Sequence, residues 1–332
     1  MTNFIAVVLF AGVVLYAVFG GADFGAGFWD LTAGGAEPGR HPRELIDHSL
    51  GPVWEANHVW LIYCLVILWT AFPGAFAAIM TTLYVPLGLA ALGIVLRGSG
   101  FAFRKVVVRT AEQRVAGAAF AASSVITPFF FGTVAGGIAS GRVPAEGGGD
   151  PLRSWLNPTS ALGGALAVVV CAYLAAVFLT GDAHARGAGG LEAWFRRRAL
   201  LAAGAAGALA LGGIAILDSD AHRLFERLLG PALPLVIVSA LSGGAALVLL
   251  RRAAPRLTRV LAVIAVATVV AGWGVAQYPY LLGTHLRIGQ AAAPTPTLVA
   301  LTVVFGAAVA LVIPSLALLY VLQQRGQLES TS

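Results

Sequence analysis

Nine apolar runs, separated by short stretches of charge, glycine or proline, leave this chain few folds to choose from. They lie near 4–28, 53–72, 75–97, 115–139, 160–180, 199–217, 232–250, 258–277 and 298–322. A bilayer core takes a helix of about 20 residues, and each run is long enough to cross. The second and third are divided only by Pro73-Gly74, a tight-turn pair; read as one helix they would exceed the bilayer core about twofold at a rise of roughly 1.5 Å per residue. Composition agrees, with 58% hydrophobic residues, 11% charged and a mean hydropathy of +0.86. The expected fold class is an all-α integral membrane protein with nine transmembrane helices.

Basic residues set the orientation of such a chain, because Lys and Arg accumulate on the cytoplasmic side. Of the 21 Lys and Arg, 16 fall in the loops after runs one, three, five and seven and in the C-terminal tail, and five on the other side. This parity predicts an N-terminus outside and a cytoplasmic C-terminus, and it accounts for the net charge of +6 without a nucleic-acid partner. The first run has no basic segment before it and no clear cleavage site, so it is expected to remain as a helix.

A faint echo runs along the chain: the first run ends in Gly20-Gly21-Ala22-Asp23 and the fifth in Thr180-Gly181-Asp182. It suggests one polytopic domain built of two four-helix halves, 1–139 and 160–277, with a peripheral ninth helix at 298–322. Gly21 and Gly25 have the spacing that lets two membrane helices approach closely. Cys64 and Cys171 each lie inside an apolar run, where they read as small buried fillers with no disulfide or metal spacing.

The residues that stand out chemically open the second run: Gly51-Pro52-Val53-Trp54-Glu55-Ala56-Asn57-His58-Val59-Trp60. An ionisable group at membrane depth is costly unless paired or watered. Glu55 has a plain explanation as a first-turn carboxylate, favoured by the helix dipole and the unpaired N–H groups there. It also has company: His58 lies on the same helical face three residues on, and Asn57 adds a donor and an acceptor. Carboxylate, imidazole and amide together form a candidate proton relay. Asp23, at the end of the first run, is expected on the same cytoplasmic side, either hydrated at the interface or as a second carrier.

The other polar residues read more simply. Asp30, Glu44 and Asp47 are taken as solvated charges. Arg97, Arg104, Lys105 and Arg109 are expected to anchor the third helix at the headgroups, and Trp29, Trp54, Trp60, Trp69, Trp155, Trp194 and Trp273 to belong mostly to an interfacial aromatic belt. Among six histidines only His58 clearly belongs to a span, which argues against a haem held by two histidines of this chain. No nucleotide-binding or metalloprotease motif is present, and no metal site is expected.

Three further strings carry a resemblance: Gly21-Ala22-Asp23-Phe24-Gly25-Ala26-Gly27, Leu68-Trp69-Thr70-Ala71-Phe72-Pro73 and Leu83-Tyr84-Val85-Pro86-Leu87. With the run from Gly51 to Ile62 they resemble subunit II of the cytochrome bd-type quinol oxidases, densely over roughly the first hundred residues. The resemblance implies a respiratory complex of the bacterial cytoplasmic membrane that oxidises quinol and reduces dioxygen to water without pumping. It implies that the b-type and d-type haems belong to a larger partner, subunit I, with none ligated by this chain. In some members a quinone is held on subunit II, and some complexes carry a small single-span subunit. The family's acid in its W-[DE]-[GA]-N motif, implicated in proton uptake from the cytoplasm, falls on Glu55, and its first-helix acid on Asp23. Many members have Asp-Gly-Asn where this chain has Glu55-Ala56-Asn57, so the partner of the longer carboxylate differs. The role of His58 rests on its spacing and not on the family. Two rival readings are an ion-coupled secondary transporter, which also uses intramembrane acids, and a scaffold in which Glu55 is only a helix-end charge.

Overall fold

Helices cover all nine apolar runs, but the third run is broken in two. The computed structural model describes the backbone of residues 1–35, 37–50, 54–106, 110–252 and 254–324, and the side chains in those ranges except at 50, 54–56, 101–106, 110–116, 312–313, 316–317 and 319–324. In chain order the elements are α1 (Thr2–Leu31), α2 (Arg40–Leu50), α3 (Trp54–Ala71), α4 (Pro73–Thr82), α5 (Tyr84–Val106), α6 (Thr110–Ala139), α7 (Pro158–Ala185), α8 (Gly189–Asp220), α9 (His222–Leu229), α10 (Leu233–Arg251), α11 (Pro255–Gln277), the strands β1 (Tyr280–Leu282) and β2 (Leu286–Arg287), then α12 (Ile288–Ala291) and α13 (Thr295–Gln324). The protein is an all-α membrane protein, and the antiparallel pair β1–β2 is its one departure among the described residues.

Among the described residues six helices are long and apolar enough to cross a membrane: α1, α6 from Gly117, α7, α8, α10 and α11. Helices α3 and α4 form a pair bent by 117°, and the apolar parts of α5 (Tyr84–Gly100) and α13 (Thr295–Leu311) are shorter. Proline makes both breaks. Pro73 opens α4 at a position where its missing N–H costs nothing. Pro86 cannot donate to the Thr82 carbonyl and its ring crowds that turn, so α4 ends at Thr82 and α5 restarts at Tyr84 with the proline in its first turn.

Helix α1 is the centre of the packing, touching α3, α6, α7 and α11, while α5 lies on α6, α8 on α7 and α10 on α11. Lipid tails are as apolar as leucine, so membrane helices associate through close packing at small residues. Gly25 lies against the Cys171 backbone carbonyl, Gly132 against Gly163 and Gly136 against Ser160, each too close to admit a Cβ. The Gly21/Gly25 spacing thus works as a packing face, with Gly21 beside the Cys171 thiol. Both cysteines are free, Cys171 buried and Cys64 partly so.

The loops are tied down by charge at both ends. Arg43 of α2 donates to Asp30 of α1 at 2.7 Å and to the Gly34 carbonyl at 2.6 Å. Asp30 is therefore a buried, ion-paired residue and not the solvated charge its loop-edge position suggested, because α1 runs on to Leu31 and α2 folds over it. Glu44 pairs in the exposed open with Arg40 at 2.9 Å. At the other end Asp220 of α8 accepts from both terminal nitrogens of Arg142, at 3.1 and 2.6 Å, and from the Thr159 hydroxyl at 2.6 Å. There Gly283 crosses Gly141, and both have positive φ, +47° and +75°; no side chain fits between them.

Candidate functional site

Asp23 is the most enclosed charge among the described residues. Extension of α1 to Leu31 puts it roughly 12 Å from the helix end at the usual rise, so it is not the hydrated terminal residue that the end of the apolar run suggested. Its side chain is 0% exposed, and its partner Arg97 is 1% exposed. One terminal nitrogen of Arg97 donates to Asp23 Oδ1 and to the Asp23 carbonyl, both at 2.8 Å, and the other donates to the Ser124 hydroxyl at 2.6 Å. The guanidinium also lies over the rings of Phe24 and Phe120, at 5.0 and 4.4 Å. Gly27 gives the space, since a side chain there would overlap Ser124 and crowd Arg97.

Arg97 therefore does not anchor α5 at the headgroups; the helix continues beyond the apolar run to Val106 and turns Arg97 inward. Arg104, Lys105 and Arg109 lie outside the described side chains. Ordinary hydrogen-bond bookkeeping is not closed at the pair: Asp23 Oδ2 and Arg97 Nε are buried and have no partner among the described residues. One oxygen of the carboxylate is thus held by a cation, and the other is unclaimed among the described residues.

The other expected carriers begin α3. Trp54 and Glu55 lie on its first turn with side chains outside the described residues. Asn57 and His58 are half-buried. The His58 ring meets Phe24 edge-on at 5.7 Å and Tyr16 at 6.3 Å, so the α3 histidine and the α1 aspartate approach the same pair of aromatic rings. Arg97, Ser124 and Tyr16 are the members of this cluster that sequence reading missed. The signal for Arg97 was an arginine close enough to an apolar run to be drawn into it.

A second pair of the same construction stands on α7 and α11. Arg259 donates to Asp182 Oδ1 and to the Phe178 carbonyl, both at 2.5 Å. Here the side chains are 34% and 32% exposed. Between α1, α6, α7 and α11 lies a cavity of about 370 Å³ whose wall is almost wholly apolar, including Tyr16, Phe24, Phe131, Cys171, Val266 and Trp273. Trp273 is thus a cavity residue, and Trp29 is buried with its indole N–H on the Ala172 carbonyl at 2.7 Å. Neither is a belt residue, because the Trp29 ring is buried against α7 and the Trp273 ring faces the cavity.

The described residues do not fit a haem held by two histidines: His41 and His48 lie on α2, His184 ends α7, His222 begins α9 and His285 is in the β1–β2 turn. No three His, Cys, Asp or Glu come together as a metal set among the described residues.

The family model for cytochrome bd terminal oxidase subunit II matches residues 1–323. This chain belongs to that family. It is 28% identical over 176 residues to the cytochrome bd ubiquinol oxidase subunit 2 of Bacillus subtilis (strain 168), which is 52% of this chain and 50% of that protein. It is also 28% identical over 135 residues to the cytochrome bd-I ubiquinol oxidase subunit 2 of Escherichia coli (strain K12), 40% of this chain and 35% of the relative. The chain thus spans about half the length, or less, of the curated relatives it matches. The bd oxidase of Geobacillus thermodenitrificans has a solved chain that is similar over 96% of this one and 97% of its own length, with a TM-score of 0.74 and 26% identity. The polar cluster on α1, α3 and α5 is therefore a feature of a bd oxidase subunit II.

Proposed function

We propose that the chain serves as subunit II of a quinol-oxidising, dioxygen-reducing complex of the bacterial cytoplasmic membrane, completing the fold around a haem-bearing subunit I and conducting protons to it from the cytoplasm. The partner's haems supply electron transfer and oxygen chemistry. The part of this chain is charge compensation: an electron entering a low-dielectric site is stabilised by an accompanying proton, since unpaired charge there is expensive. Glu55, with Trp54 and Asn57 beside it, receives protons at the cytoplasmic mouth, His58 passes them inward, and Asp23 holds one at Oδ2 while Arg97 keeps Oδ1.

The observation that carries this reading is a fully enclosed aspartate whose second oxygen has no partner among the described residues. The match to the subunit II family and the likeness to a solved bd oxidase chain favour this reading over an ion-coupled transporter. In the same reading nine spans are formed by α1, α3, α4 with α5, α6, α7, α8, α10, α11 and α13, with the N-terminus outside. Two four-helix halves with α13 peripheral belong to the same reading, suggested by the glycine-acid endings at Asp23 and Asp182, although the paired arginines stand on the third span of one half and the fourth of the other. The apolar cavity suits the isoprenoid tail of a structural quinone, and a small single-span subunit completes the assembly.

The test is oxygen consumption by the reconstituted complex in proteoliposomes, with the visible haem spectrum as the check on assembly. Asp23→Asn and Glu55→Gln are each expected to slow turnover on the order of a hundredfold, the low end for a positioned proton-transfer group, with haem bands intact. Wild-type rates in both variants refute the proton path, and a purified chain that brings down no haem-bearing partner refutes the oxidase role.

A further inference from the structure

Tyr16 brings a hydroxyl into the cluster that the proton path through Glu55, His58 and Asp23 does not use. A long side chain on a helix ordinarily leans back toward the N-terminus. One turn after Tyr16, however, stands Gly20, where an added methyl would lie 2.7 Å from Cε2 and 3.4 Å from Cζ of the tyrosine. The ring therefore lies down over Gly20, toward the turn that carries Asp23. Three rings hold it there edge-on: Phe131 at 6.0 Å, His58 at 6.3 Å and Phe24 at 6.5 Å. Its hydroxyl is buried, and neither it nor Asp23 Oδ2 has a hydrogen-bond partner among the described residues. Tyr16 and Asp23 are seven residues apart on α1, two turns and so on one face of the helix.

We infer that Tyr16 relays protons between His58 on α3 and Asp23 on α1, an inference that rests on the proton-conducting reading above. Protonated His58 gives an N–H proton to the phenol oxygen through a bridging water, while the phenol gives its own proton to Asp23 Oδ2. One O–H bond forms as another breaks, the tyrosine is neutral before and after, and a single positive charge moves from α3 to α1. Gly20 is the notch that makes this possible, since any side chain there turns the ring away from Asp23.

The experiment is steady-state quinol-driven oxygen consumption by the purified two-subunit complex in H2O and in D2O, for Tyr16→Phe, Asp23→Asn and the two together. Haem spectra report assembly. Tyr16→Phe is expected to slow turnover on the order of a hundredfold, to raise the solvent isotope effect, to leave the quinol KM unchanged and to add nothing in the Asp23→Asn background. Gly20→Ala, which keeps the hydroxyl but displaces the ring, gives the same signature and decides the matter where Tyr16→Phe does not assemble. A wild-type rate and isotope effect in the tyrosine or glycine variant, beside a slow Asp23→Asn, overturns the role of Tyr16 and leaves Asp23 in place. Independent slowing by the two substitutions overturns their arrangement in series, and a wild-type rate in Asp23→Asn overturns both assignments.

Discussion

Replacing Arg97 by Met tests whether the buried pair is a structural necessity as well as a chemical one. The substitution keeps much of the side-chain volume and removes the donor to Asp23 Oδ1, the donor to the Asp23 carbonyl and the donor to Ser124. It also removes a cation over two aromatic rings. Removing one partner of a buried pair costs about 3–5 kcal/mol, because a charge is left without compensation, whereas replacing both partners with neutral groups is often close to neutral. The near-zero exposure of both side chains puts this site at the upper part of that range. Arg97→Met is therefore expected to lower the apparent melting temperature of the detergent-solubilised complex on the order of 10 °C, and the double variant Asp23→Asn, Arg97→Met to recover most of that loss. Differential scanning with haem absorbance as the unfolding signal reads both. A single variant that melts with the wild type, or a double variant that melts below the single, refutes the claim that charge compensation holds α1 to α5.

Two further outcomes follow from the packing and the outer surface. Gly25→Val drives a side chain into the Cys171 backbone carbonyl, which cannot rotate away; it is expected to destabilise the complex by at least the roughly 1–3 kcal/mol of an overpacked core, while Gly98→Ala, with nothing within 4 Å, is tolerated, and equal melting temperatures for the two would contradict the α1–α7 contact. His222 is held above its ordinary pKa by its hydrogen bond to Asp218 at 2.9 Å, with Glu226 adding to the effect. A raised histidine contributes stability that is full below its unfolded value near 6.5 and is lost as pH rises through the higher folded value. The melting difference between wild type and His222→Gln is expected to be present in acid and to vanish in alkali, and a difference that grows with pH refutes the pairing.

The helices were legible because hydrophobic length alone specifies a membrane span, and the runs from 4 to 28 and from 160 to 180 became α1 and α7 with a few residues added at each end. What the sequence concealed was the fate of charges at the ends of those runs. Arg97 and Asp30 sit where an apolar run stops, and a stopping point reads as a water boundary; the helices went on past it and buried both. No local pattern announces a pair 74 residues apart. The break before Tyr84 was written in Pro86, but a proline in an apolar run is compatible with a kink as well as with a restart. Tyr16 left no trace, since a tyrosine among leucines and valines reads as filler until Gly20 is seen to lie beneath it.

The two aspartate–arginine pairs share a construction and differ in one physical respect, and that difference is why the proposed proton path runs through Asp23. Each arginine bridges its partner's carboxylate and a backbone carbonyl of the same helix. Around Asp182 and Arg259 about a third of each side chain is exposed, and screening weakens an exposed pair. Around Asp23 and Arg97 there is almost no exposure, and the effective dielectric is lower and each charge correspondingly stronger. Enclosure from bulk water is what the proposed proton path requires of its carrier, and of the two pairs Asp23 and Arg97 have it. Arg97 of α5 and Ser124 of α6 enclose Asp23, and His58 of α3 lies edge-on to the Phe24 ring beside it.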